Sequence, residues 1–260
     1  EHSTPFIHIE LIKAMHQAAS ETPAQPTGWP EPCDTAYLDQ WMQGLPIVGQ
    51  VPKSNVWPGE TTHTPTLTTQ EWQSEAITER KKITQRVLNR NEDIEHTEAC
   101  WKATMADVER GYTSGPFTEE EVAKAIGTNK FRPTPRHPIV QKGKVREIDA
   151  CNLSRINDLT TVSEKLQLPS ANLAMVSARR LYKLYRERHG KRPRLRGIIF
   201  DESKAYRGIG VRKDNLPYSV IVVKNPKGGV SYFVMNSMMF GSNASVPNYN
   251  RRAMLLTKIL

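Results

Sequence analysis

The sequence predicts an α+β protein. Two runs of strand-forming residues fold about tight turns, HPIVQKGKVREID and YSVIVVKNPKGGVSYFVM. Charged stretches with few breakers precede them and have helical composition. A leader dense in proline excludes long helices and central strands from the first third of the chain. Strand pairs and helices that do not alternate regularly give an α+β plan.

Composition divides the chain into four segments: a Pro/Trp-rich extension over 1–70, a charged helical segment over 71–115, a region over 116–199, and a last region over 200–260. Residues 6–19, FIHIELIKAMHQAA, suit a short helix. Residues 22–69 carry Trp29, Trp41 and Trp57 among the prolines, which makes this stretch an arm with aromatic anchors packed over a surface. From Glu71 to about Arg110, Glu, Lys, Arg, Gln and Ala predict one or two helices with a solvated face.

PFTEEEVAKAIG is the best-specified local element. Thr118 is the N-cap, and Glu121 completes a capping box. Phe117 and Val122 form the hydrophobic staple, and Gly127 ends the helix. Its three glutamates sit in the first turn, where the helix dipole favours negative charge, which accounts for them without a metal. HPIVQKGKVREIDACN then reads as a strand over 138–141, a Lys-Gly turn and a strand over 145–148. Lys142, Lys144 and Arg146 lie at or near its tip.

LAMVSARRLYKLYRERH, 173–189, spaces Leu173, Val176, Leu181, Leu184 and Tyr185 close to a helical period, with Gly190 as the stop. Between Ser177 and Gly197 lie nine Lys or Arg and one Glu. Arg179, Arg180, Lys183, Arg186, Lys191 and Arg192 are candidates to follow a phosphate backbone; a solvated face is the alternative. Ile198, Ile199 and Phe200 predict a short buried strand ending at Asp201. After the second hairpin, Phe240-Gly241 breaks the strand, and a helix follows from Pro247.

The chain has 260 residues and a formal net charge of +9, so a polyanion is a natural partner. Cys33, Cys100 and Cys151 are too few and too far apart for a disulfide framework or a zinc motif. A reduced intracellular location, cytoplasmic or nuclear, is expected, in which the Asn152 and Asn243 sequons carry no weight. No apolar run approaches the roughly 18 residues of a membrane span, and no membrane partner is expected. With no initiator Met and no secretory signal, the chain reads as a piece of a longer protein.

Taken alone, Asp201 is a strand-end turn former. It can also be a group held for chemistry: phosphoryl transfer between two divalent ions about 4 Å apart needs carboxylates on rigid elements, with cations for a triphosphate. FDESKAYRGIGV resembles the first palm motif of reverse transcriptases, an aspartate followed four and five residues on by a small residue and an aromatic. FGSNASVPNYNR resembles the next palm motif, and KGKVREIDACNLSRIN resembles the fingers segment. The three occur in the family's order over about residues 115–260, with the flavour of retrotransposon-type polymerases from protist genomes.

The resemblance implies a right-hand polymerase with fingers and a truncated palm. It implies that Asp201 binds the catalytic Mg²⁺ or Mn²⁺ and that Glu202 offers its backbone carbonyl. Tyr206 would lie under the sugar and exclude a ribose 2′-OH, while Lys144 and Arg146 hold the triphosphate. Phe240, Gly241, Ala244 and Ser245 would shape the template and nucleotide pocket, and Asp149 would be structural. A primed RNA or DNA template and deoxynucleoside triphosphates are the implied partners. Ala150 stands where relatives often carry a second Asp, and no aromatic-x-Asp-Asp is present. The chain alone is therefore expected to be inactive, whatever its parent does. The alternatives are a non-catalytic nucleic-acid-binding remnant of a transposable element and a purely structural or interaction domain.

Overall fold

The computed structural model describes Ala14, Gln17, Asp34, residues 36–168, 170–197 and 204–259. It divides into two compact units, Leu166–Ser203 and the remainder. The helix expected over 6–19 lies outside the described residues, except for Ala14 and Gln17, which are helical. Trp29, the strand expected over 198–200, Asp201 and Glu202 also lie outside them.

The larger unit begins with α1 (Ala36–Gln43), a strand stub β1 (Gly49–Gln50), α2 (Thr69–Ser74), α3 (Ala76–Asn89) and α4 (Ile94–Glu109). Next come β2 (Thr113–Phe117), α5 (Glu119–Ile126), β3 (Thr134–Gln141), β4 (Lys144–Asp149), α6 (Cys151–Ser154) and β5 (Thr160–Thr161). After the second unit's helix α7 (Ala171–His189) follow β6 (Val220–Lys224), β7 (Val230–Met235) and α8 (Ser245–Ile259). This is a mixed α+β fold. Five strands pair in the order β2-β7-β6-β3-β4, all antiparallel except β3 with β6.

Alternation along the strands builds two cores. Ile221, Val223, Phe233 and Met235 face a core shared with Cys100 of α4, Trp72 of α2 and the α1 segment. Val220, Val222, Tyr232 and Val234 face the other way, against Ile83 and Val87 of α3 and Val122 of α5. Helices therefore cover both faces of the sheet.

The capping box of α5 forms: Thr118 Oγ1 accepts from the Glu121 amide, and the Glu121 carboxylate accepts from the Thr118 amide at 2.7 Å. Gly127 ends the helix in the left-handed region, where a Cβ would be strained. The β3–β4 hairpin forms about Lys142-Gly143, with strands longer than the sequence predicts because the pairing runs on from Gln141↔Lys144 to Arg136↔Asp149. The charged stretch over 71–110 makes three helices, with breaks at Glu75 and over Arg90–Asp93. The last helix starts at Ser245, two residues before Pro247, since proline is tolerated in a helix's first turn.

The Pro-rich segment is less of an outer arm than its composition predicts. Tyr37, Leu38 and Trp41 lie on one face of α1 and are buried in the main core, as are Leu45 and Ile47. Trp57 is buried too. The physical reason is that α1 fits between the prolines at 32 and 46, so the breakers bound a short helix and leave it intact. Asn215 accepts from the Ile47 amide at 2.9 Å, and Leu45 donates to Gly210 at 2.8 Å.

The second unit contributes α7, capped at Gly190 in the left-handed region. No helix among the described residues is long and apolar enough to cross a membrane.

Candidate nucleotide site

Three sequence stretches meet at one place in the larger unit: the end of β4, the segment Lys204–Val211, and the turn at Phe240-Gly241. Strand pairing sets the first. Arg136 and Asp149 are register partners, so their side chains share a face. Arg136 Nε donates to Asp149 Oδ1 at 2.6 Å, and Nη2 donates to Oδ2 at 3.1 Å. α4 packs on that face and brings Asp107, whose Oδ2 lies 3.5 Å from Arg136 Nη1.

The segment after Asp201 closes the cluster. Lys204, held at φ 54, places its ammonium on Asp107 Oδ1 and 4.0 Å from Glu147. A 3₁₀ turn over Ala205–Gly208 carries Arg207 inward. Arg207 reaches Asp107 at 3.4 Å and Asp149 at 3.6 Å, and donates to the Met238 carbonyl at 2.8 Å. Trp41 Nε1 donates to the Gly208 carbonyl at 2.9 Å.

Three cations and three anions are thus gathered, with Asp107, Asp149, Arg136 and Arg207 almost wholly buried. Burial alone would raise the Asp149 carboxyl. Arg136 and Arg207 overcome that and hold it below the usual carboxylate range. Burial would likewise lower Arg136, and Asp149 with Asp107 pushes it up instead. Arg207 is pulled down, first by burial and then by repulsion from Arg136.

The Phe240-Gly241 turn docks on this cluster. Gly241 has φ +99, and a Cβ there would lie 2.7 Å from the Asp149 carbonyl oxygen, so only glycine permits the approach. Asn157 fastens the turn from two sides, donating to the Gly241 carbonyl at 2.9 Å and accepting from the Asn243 amide at 2.8 Å. Ser245 donates to the Met239 carbonyl at 2.7 Å, and Ala244 is buried against Val51 and Val162. Arg207 lies over the Phe240 ring, 5.3 Å from its centroid.

On the outer side, the Tyr206 ring packs on Phe240 at 4.8 Å and on Tyr249 of α8 at 5.6 Å. All three rings are partly exposed, and Gly241 beside them is exposed. Burial raises the Tyr206 hydroxyl above its ordinary value. The surface is an aromatic shelf beside bare backbone.

Of the residues singled out from sequence, Tyr206, Phe240, Gly241, Ala244 and Ser245 come together here. Lys144 and Arg146 do not: alternation along β4 puts them on the face opposite Glu147 and Asp149, exposed near the hairpin turn. Arg179, Arg180, Lys183 and Arg186 lie on α7 of the second unit, and Lys191 and Arg192 follow its cap. Asp201 and Glu202 lie outside the described residues.

Sequence reasoning passes over Asp107, Arg136, Arg207 and Asn157. For Arg136 a signal exists: counting outward from the Lys142-Gly143 turn pairs it with Asp149. Asp107 has none, because its partners come from two distant elements, β3 and the turn that holds Lys204 and Arg207.

The described residues do not offer a site for a divalent cation. No group of three or more His, Cys, Asp or Glu among them is placed to hold one. The nearest carboxylates, Asp107, Glu147 and Asp149, are matched by Lys204, Arg136 and Arg207. A carboxylate engaged by buried guanidinium cannot serve a metal without stranding that cation.

No protein-family model, curated protein or solved structure matches this chain.

Proposed function

We infer that this chain carries the fingers and the first part of the palm of an RNA-directed DNA polymerase. Its parent would extend a primer on a template with deoxynucleoside triphosphates in the cytoplasm or nucleus. One observation carries the reading. The three stretches that resemble the family's motifs are far apart in sequence, yet Asp149, Arg207 and Phe240-Gly241 touch one another. That convergence supports the reading.

In this reading the ionic cluster fixes Lys204 and Arg207, on either side of Tyr206. The Tyr206–Phe240–Tyr249 shelf receives the incoming nucleotide. Asp201, with Glu202, is assigned to the Mg²⁺ or Mn²⁺ that the reaction uses. Lys144 and Arg146 remain candidates for triphosphate binding, on the strand face opposite the one that bears Asp149.

The test is primer extension by the full-length parent on an RNA template, in the presence of Mg²⁺. Asp201→Asn is expected to abolish extension while leaving template binding intact. Unchanged extension would sink the assignment. A second reading, a nucleic-acid-binding module without catalysis, is favoured by the bare basic residues of the smaller unit. Template binding by the parent with no extension under any metal would select it.

A further inference from the structure

Basic residues are treated differently in the two units. In the larger one, Arg80, Arg132, Arg136, Arg207 and Arg251 are buried and bonded within the fold. In the stretch from Ser177 to Gly197, nine Lys or Arg face one Glu, against a net charge of +9 for the whole chain. Those nine are exposed, and Lys183 with Glu187, at 3.9 Å, is the single ion pair among the described residues of that stretch. That stretch therefore carries a dense and bare positive charge, which is the footprint of a polyanion site.

The same helix is also apolar along another face, and that face is open. Leu181 is 59% exposed, Leu184 53% and Tyr185 44%. At about 100° per residue, Arg179, Lys183 and Arg186 fall on one stripe of α7. Tyr182 stands between Arg179 and Arg186, three and four residues away, so the aromatic and cationic stripes adjoin. Tyr185 continues the aromatic side and stacks with His189, ring centroids 4.4 Å apart. Lys191 and Arg192 follow the Gly190 cap and extend the cationic side.

A duplex offers phosphates but hides its bases, so it would satisfy the arginines and leave the tyrosines in water. A single strand offers both, phosphates to one stripe and base faces to the next. We propose that α7, with Lys191 and Arg192 after its cap, is a track for single-stranded nucleic acid, with Arg179, Lys183 and Arg186 on the phosphates and Tyr182, Tyr185 and His189 under the bases. This rests on the nucleic-acid reading above and narrows its ligand to an unpaired strand.

The experiment is fluorescence anisotropy of the 260-residue chain with a labelled 20-nucleotide oligo-U, the same length of oligo-dT, and a blunt 20-base-pair duplex, across a salt series. The single strands are expected to bind at least tenfold tighter than the duplex. Binding should weaken with salt by a log–log slope of about 0.7 per phosphate engaged. Arg179→Ala and Arg186→Ala should each reduce that slope. Tyr182→Ala with Tyr185→Ala should weaken single-strand binding by roughly tenfold and leave the slope unchanged, because stacking is not ionic. All four positions lie on α7 and none belongs to a buried core, and circular dichroism checks that the variants keep their helix.

Equal or tighter binding of the duplex would overturn the proposal. So would a tyrosine pair that can be removed without effect, or a preference for phosphatidylserine vesicles over oligonucleotides. The result is separable from the polymerase reading. Single-strand binding by a parent that never extends a primer would defeat that reading and leave the track standing. Extension without this binding pattern would do the reverse.

Discussion

Arg136 and Asp149 face each other across the β3–β4 hairpin as a two-point ion pair, both side chains shut off from solvent. They close the base of the site, and Arg207 leans on the same carboxylate. Removing one member strands the others. Asp149→Ala is expected to cost about 3–5 kcal/mol, the range for an uncompensated buried charge. Replacing Arg136 and Asp149 together with Met and Leu should recover much of that loss. Urea denaturation of the three variants checks both statements.

Acid should act through the same pair. The folded Asp149 carboxyl lies below its ordinary value, so the unfolded chain binds the proton more readily. Its contribution to stability is complete above the ordinary carboxylate range and fades as the pH falls through and below it. Urea midpoints measured from pH 6 down to pH 3 are expected to drop, and to drop less steeply in Asp149→Asn.

Gly241 and Gly127 both have positive φ, but their surroundings differ. Gly127 has open space where a Cβ would go, while Gly241 has the Asp149 carbonyl at 2.7 Å. Gly127→Ala should cost about 1 kcal/mol, for backbone conformation alone. Gly241→Ala should cost about 1–3 kcal/mol and displace the Phe240 turn. Thermal melts rank the two, and loss of the Tyr206–Phe240 contact would be read from the tyrosine ring signals by NMR.

Tyr206 tests the proposed nucleotide shelf directly. If the polymerase reading holds, Tyr206→Ala in the whole protein is expected to admit ribonucleotides, raising their use relative to deoxynucleotides by tenfold or more, while Tyr206→Phe keeps the discrimination. Unaltered sugar selectivity in the alanine variant would remove the sugar-gate role.

Cys100 and Cys151 are both buried, and burial pushes the Cys100 thiol up to about 12. Cys151 is raised as well, by burial and by Asp149. Thiolate is the reactive form, so both should resist alkylation in the folded chain. Labelling followed by mass spectrometry is expected to find them at least a hundredfold slower in buffer than in urea.

Much of the fold was legible because it is local. The capping box at Thr118 and Glu121, the turn at Lys142-Gly143 and the strands around KNPKGG each need only a few neighbours to specify them. The site was legible at Tyr206 and Phe240-Gly241, where motif spacing survives in one dimension. It was not legible at Asp107, which is an ordinary acid on a helix until Lys204, 97 residues later, arrives on it. Nor did composition disclose that Tyr37, Leu38 and Trp41 enter the main core, because prolines mark where a helix stops without saying what lies between them. Asp201, to which the proposed reading assigns the metal, lies outside the described residues, so its assignment rests on sequence.

The docking of the α1 segment has a consequence in time. Asp34 pairs with Arg251 from 217 residues away, and Pro46 accepts from Asn248 across 202. A ribosome adding about 5–20 residues per second needs some tens of seconds to cover that distance. The β3–β4 hairpin can close long before, whereas Tyr37, Leu38 and Trp41 must wait with their apolar faces uncovered. A segment made some 200 residues earlier is therefore among the last of these elements to settle, and until then it shows apolar surface of the kind that makes a nascent chain prone to aggregate.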